Sequence, residues 1–149
     1  MTRWLFGDAQ VVRAALTTNG PLELDVAEAA DVLLRFRSDV TAHVRLDYWS
    51  RPRAHHVEIT CTEGTIAWDF MTGELRVWST ASGTWVTTEL PSVESRNDLF
   101  IDEARHFLDI VNGRTRPVCT LEDGLAIVSL CAAIERDAAG HAAPPSSER

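Results

Sequence analysis

The hydrophobic period changes once along this chain, and that change limits the fold more than any single motif. Up to Glu89 apolar residues tend to recur at every second position, and from Asp98 onward they recur at helical spacing. The run from Val40 to Trp49 alternates most clearly. Val40, Ala42, Val44, Leu46 and Tyr48 share one face, and Thr41, His43, Arg45, Asp47 and Trp49 the other. His56 to Cys61 repeats the pattern, with Val57, Ile59 and Cys61 opposite His56, Glu58 and Thr60. Gln10–Thr18, Ala30–Arg37, Thr65–Phe70, Glu74–Ser79 and Trp85–Glu89 complete a predicted set of about seven strands. Turn signals at Asn19-Gly20-Pro21, Ser38-Asp39, Glu63-Gly64, Thr72-Gly73 and Ser82-Gly83 recur about every ten residues or more, which predicts an antiparallel meander.

The last third reads as two helices. Asp98–Asn112 places Phe100, Ala104, Phe107, Leu108 and Val111 on one stripe, with Ser95 or Asn97 as cap and Gly113 as stop. Thr120 and Asp123 have capping-box spacing. The segment from Leu121 to Ala138 is apolar on most sides, so a largely buried helix ending at Gly140 is expected. Strands segregated from helices predict an α+β fold, an open and mostly antiparallel sheet with helices packed on one face. The predicted domain spans 1–142, and 143–149 is expected to be a disordered tail.

Composition removes whole classes of chemistry. The formal charge of -8 opposes nonspecific nucleic-acid binding, which needs cationic surface. All 14 cations are Arg, so no lysine Schiff base and no Walker A phosphate loop is present. No two of the 8 glycines are separated by a single residue, so the G-x-G-x-x-G loop is missing and no cofactor is expected to bind this chain alone. Neither G-x-S-x-G nor H-E-x-x-H occurs. No apolar run approaches the roughly 20 residues of a membrane span, and Met1–Gly7 is too brief for a signal peptide. Cys61, Cys119 and Cys131 show no paired or zinc-like spacing, which makes a reducing cytoplasm the expectation.

Two surface features invite function. The polar sheet face carries Thr41, His43, Arg45, Asp47, His56, Glu58 and Thr60, with Trp49, Trp68 and Trp78 nearby. Arg and aromatic side chains are enriched at protein interfaces, so a homo-oligomer contact through His43, Arg45, Trp49, Glu58 and Trp68 is expected. His43, Asp47 and His56 could hold a metal, although such surface groups are ordinarily solvated or ion-paired. The second feature is Arg51-Pro52-Arg53. Fork-shaped guanidinium groups on either side of a rigid Pro suit a carboxylate or phosphate, and Tyr48 or Trp49 offers a flat ring to a sugar. A cofactor-independent acid–base enzyme using Asp47, Arg51, His55 or His56 lacks any visible convergent dyad.

Several runs together resemble one family. LELDVAEAADVLLRF from Leu22, LDYWSRPR from Leu46, EITCTEGTIAWDF from Glu58 and DEARHFLDIVNGRTRPVCTLEDGLAIV from Asp102 are similar to the C-terminal domain of the glucose-fructose oxidoreductase, inositol dehydrogenase and rhizopine-catabolism family, Gfo/Idh/MocA. WLFG at Trp4–Gly7 resembles the end of the helix that enters that domain. The resemblance implies an NAD(P)-dependent oxidoreductase of sugars or cyclitols. In that family a separate Rossmann domain supplies the nicotinamide site and a catalytic Lys in a Glu-Lys-Pro motif. Here the resemblance implies the substrate and oligomerisation half, as a truncated or split chain. Its partners would be a Rossmann polypeptide and a small sugar-like ligand, and Asp47, Tyr48, Arg51 and Arg53 would border the substrate. A stand-alone scaffold or binding module is the alternative. Members often read Glu-Asp where this chain has Ala27-Glu28, and Gly where Cys61 stands.

Overall fold

The computed structural model describes residues 1–90 and 96–141, the side chain of Arg96 excepted. The expected tail at 143–149 and a Ser95 cap lie outside the described residues. The elements are α1 (Thr2–Phe6), β1 (Ala9–Thr17), β2 (Ala29–Phe36), β3 (Thr41–Asp47), β4 (His56–Cys61), β5 (Gly64–Asp69), β6 (Glu74–Ser79), β7 (Thr84–Glu89), α2 (Arg96–Val111) and α3 (Leu121–Gly140). All strand pairs are antiparallel, and the fold is α+β. The strands form two ladders instead of one, β1-β2-β3 and β4-β5-β6-β7. The break falls where Pro52, which has no N–H to donate, interrupts the alternation. The chain divides into two compact units, Met1–Trp49 with Val118–Arg149, and Ser50–Pro117.

The first unit holds the core. Ala14, Val32, Leu34 and Phe36 are buried, and Phe6, Val11, Ala42, Val44, Leu130, Ile134 and Ala138 pack against them. Register explains the set, because Val32 lies opposite both Ala14 and Val44, and Leu34 opposite both Val11 and Ala42. Val11 and Ala14 would face opposite ways in a regular strand. A register shift between Val11 and Arg13 inserts one residue, turns Val12 outward and lets both Val11 and Ala14 face the core. Each fully buried side chain of this size stabilises the fold by about 1.5–3 kcal/mol. Phe6 closes one end of the cluster against Phe36, with ring centroids 5.4 Å apart.

α3 departs from expectation. None of its residues is buried, and Leu121, Leu125 and Val128 are 85%, 66% and 65% exposed. The helix rests on its sheet by one stripe, Leu130, Ile134 and Ala138, at intervals of one turn. An apolar composition all round does not bury a helix that has a partner on only one side. Its start is as expected: Thr120 Oγ1 accepts the Asp123 N–H, and Asp123 Oδ2 accepts the Thr120 N–H, both at 3.1 Å.

The second unit is a four-stranded meander with α2. The first hairpin turns at Thr62-Glu63, because Cys61 pairs with Gly64. A side chain at Gly64 would overlap the Trp78 carbonyl oxygen, which accounts for the glycine. The α2 stripe is present, yet Phe100, Phe107, Leu108 and Val111 are exposed. Among the described residues no helix is long and apolar enough to cross a membrane.

Candidate functional site

β3 carries candidate residues on both faces. Asp31 on β2 faces Arg45 across the ladder, and its carboxylate binds Arg45 Nη1 at 2.7 Å and His43 Nε2 at 3.2 Å. Arg45 Nε also lies 3.5 Å from Asp47 Oδ2. His43 and Arg45 therefore form part of an ion-pair cluster organised by Asp31. The sequence reading missed Asp31, because it sits within the largely apolar run ADVLLRF. With His43 engaged there, the described residues contain no group of three His, Cys, Asp or Glu placed to hold a metal.

The end of β3 is more enclosed. The Asp47 side chain is only 6% exposed, and its Oδ1 accepts the Trp49 N–H at 3.1 Å. Tyr48 donates its N–H to the Glu28 carbonyl at 3.0 Å while its ring is 59% exposed. The Tyr48 ring is thus presented to solvent, and the half-buried Trp49 packs beside Gly20. Asp47, Tyr48 and Trp49 belong to the first unit, and Arg51 and Arg53 to the second. Arg51 Nη1 donates to the Ser50 carbonyl at 2.8 Å, the Arg51–Pro52 peptide is cis, and Arg53 is exposed.

The remaining interface candidates sit on the β4–β7 sheet. Trp68 pairs directly with Val57, which places it on the face opposite Glu58. The structure therefore does not bring these two onto one surface. Trp68 joins an aromatic cluster instead, 5.7 Å from Phe70 and 6.2 Å from His55. The face of Glu58 holds Trp78 opposite Trp85, with the Arg76 guanidinium 5.3 Å from the Trp85 ring.

A second charged cluster lay beyond the sequence reading. Arg3 bridges Asp123 at 2.7 Å and Asp8 at 3.2 Å, and so ties α1 to the start of α3. The Arg3 hydrogen bond, followed by those from the Thr120 N–H and hydroxyl, holds the Asp123 carboxyl down at about 2. The only sequence signal was the capping-box spacing of Asp123. These residues lie beside a groove of about 820 Å³ between β1 and α3, lined by Arg3, Arg37, Leu130 and Arg136 among others.

The pyrophosphate of a dinucleotide cofactor usually rests on free amides at a helix N-terminus. At α3 a carboxylate, Asp123, already occupies that position. Among the described residues the strands of both ladders are joined as antiparallel neighbours.

Residues 1–67 match the GFO/IDH/MocA C-terminal domain. No curated protein matches the chain in sequence. Solved structures match it in fold. A levoglucosan dehydrogenase in complex with NADH and levoglucosan has a TM-score of 0.76 at 22% identity, covering 95% of this chain and 46% of its own. The UDP-N-acetylglucosamine 3-dehydrogenase GnnA from Acidithiobacillus ferrooxidans has a TM-score of 0.72 at 18% identity, covering 93% and 43%. A biliverdin reductase from Synechocystis sp. PCC 6803, in complex with biliverdin and NADP+, has a TM-score of 0.73 at 18% identity, covering 93% and 43%. The chain spans less than half the length of each. Its fold is thus an α+β domain shared with NADH- and NADP-binding oxidoreductases. The first 67 residues are thus similar in sequence to the GFO/IDH/MocA C-terminal domain, and more than nine-tenths of the chain shares the fold of these oxidoreductases.

Proposed function

We propose that this domain supplies the substrate-facing and assembly half of an NAD(P)-dependent oxidoreductase acting on a sugar or related polyol. One observation carries the reading. The chain's fold matches such enzymes over nearly all of its own length and under half of theirs. The nicotinamide site and the proton-transfer Lys then come from a Rossmann-type polypeptide segment outside these 149 residues, which contain no Lys. The dehydrogenases of levoglucosan and of UDP-N-acetylglucosamine support a sugar-like substrate, and three free, exposed cysteines suit a cytoplasmic setting.

Within this domain, Asp47, Tyr48, Arg51 and Arg53 are the proposed substrate contacts. Tyr48 offers an exposed ring to the apolar face of a sugar, while the Asp47 carboxylate is nearly enclosed and already engages the Trp49 N–H and Arg45, so its contact would be at the rim of the site. Arg51 and Arg53 offer paired N–H donors to a carboxylate or phosphate on the ligand. The reading is tested by titrating the chain with glucuronate and following backbone amide shifts. Weak binding is expected from these 149 residues alone, on the order of millimolar or about -4 kcal/mol, since the proposed cofactor segment would complete the site. Replacing both Arg51 and Arg53 by Ala should abolish the shifts and leave the fold intact. An unchanged titration in the double variant reduces the segment to a charged connector.

A further inference from the structure

Glu28 is 0% exposed, the buried charged residue of the first unit. Its two carboxylate oxygens share the Leu22 N–H at 3.1 Å each, and Oε1 accepts the Leu24 N–H at 3.2 Å. Among the described residues no cation pairs with it. The backbone of Glu28 joins both neighbouring segments, its N–H donating to the Thr17 carbonyl at 2.7 Å and its carbonyl accepting the Tyr48 N–H at 3.0 Å. The loop between β1 and β2 thus folds over this side chain. Asn19 and Glu23 hold left-handed conformations there, with φ of 59° and 53°, which non-glycine residues keep only when the surroundings impose them. The loop also passes against Trp49. A methyl group on Gly20 would overlap Glu28 Oε2 and come 2.9 Å from Trp49 Cζ3.

A buried carboxylate held by two amides is a costly way to fill space, because an apolar side chain of similar size would avoid desolvating a charge. What it provides is direction: acceptors that gather loop amides at one point. We propose that Glu28 is a positioning residue that pins the Asn19–Asp25 loop against Trp49 and so presets the Tyr48–Trp49 end of β3 for ligand. The inference rests on the reading that residues 47–53 contact the substrate. Glu28 itself touches no ligand.

Three readouts on the full chain test it: amide exchange at Leu22, Leu24, Val32 and Val44; the Trp49 indole resonance; and glucuronate titration followed at Tyr48. Glu28→Ala should speed exchange at Leu22 and Leu24 by about tenfold or more and leave Val32 and Val44 protected, because only the loop loses its anchor. The same variant should weaken glucuronate about tenfold, with Glu28→Gln intermediate because it keeps one acceptor oxygen. Gly20→Ala should move the Trp49 resonance in the wild-type background and much less beside Glu28→Ala, where the carboxylate it meets is gone. Unchanged exchange at Leu22 and Leu24, or loosened amides with wild-type glucuronate affinity, overturns the positioning role. If Glu28→Ala does not fold, Glu28→Gln and Gly20→Ala carry the same comparison. Absence of glucuronate shifts in the wild type sinks the substrate reading, and the ligand half of the proposal with it, while amide exchange still decides whether Glu28 pins the loop.

Discussion

Asp123 concentrates three roles in one carboxylate: helix cap, partner of Arg3 and acceptor of the Thr120 hydroxyl. The carboxyl titrates at about 2 in the folded chain against 3.8 as its ordinary value. Its folded value lies below its unfolded one, so its contribution is complete above the ordinary value and is lost as pH falls toward about 2. Asp123→Asn should therefore lower the melting temperature at pH 7 and narrow the gap from wild type as the pH is taken from 5 to 2 in thermal scans. An equal gap at both ends would mean that the charge on Asp123 does nothing for the fold. Gly64 gives a second test at this scale. Gly64→Ala would drive a methyl group into the Trp78 carbonyl, so it should destabilise the β4–β6 region by more than about 1 kcal/mol in denaturant titration. The residues that the sequence kept hidden, Asp31, Glu28 and Arg3, share one cause. Each finds its partner across a ladder, a loop or about the whole chain, and neither periodicity nor spacing records such distances.

At the scale of elements, the alternation and the turn residues were enough for seven strands within a residue or two, since the pleat fixes side-chain direction locally. The capping box fixed the start of α3 for the same reason. Burial was not legible. Leu121–Ala138 is apolar on most sides, but which stripe meets a sheet depends on how the chain returns to β1. The division into two ladders was equally invisible, because alternation on both sides of Arg51-Pro52-Arg53 says nothing about whether β3 and β4 pair. This yields a contrast within one helix. Leu130→Ala or Ile134→Ala should cost about 1–2 kcal/mol, below the range for fully buried sites because both are only partly covered. Leu121→Ala, at 85% exposure, should stay within about 0.5 kcal/mol. Equilibrium unfolding of the three variants distinguishes a helix docked by one stripe from one packed all round.

For the whole molecule, the open question is what covers the exposed sheet surface. On the outer face of β2 and β3, Asp31 neutralises Arg45 and engages His43, so these groups cost less to desolvate together than as lone charges. A second copy of the chain is the proposed occupant, with Trp49 and Glu58 among the proposed contacts and Trp68 reaching only from the opposite face of its own sheet. Light scattering at moderate concentration in ordinary salt should then report a dimer or tetramer. Arg45→Ala leaves Asp31 with His43 alone, and an unpaired carboxylate is expensive to bury, so the assembly should weaken about tenfold or more. Asp31→Asn should weaken it too, by releasing Arg45, whereas Asp102→Asn, on the exposed surface of α2, should not. A monomeric wild type would refute the assembly directly. A stable oligomer indifferent to Arg45 and Asp31 would place the contact elsewhere on the chain, and the exposed α2 stripe of Phe100, Phe107, Leu108 and Val111 would then be the surface to mutate next.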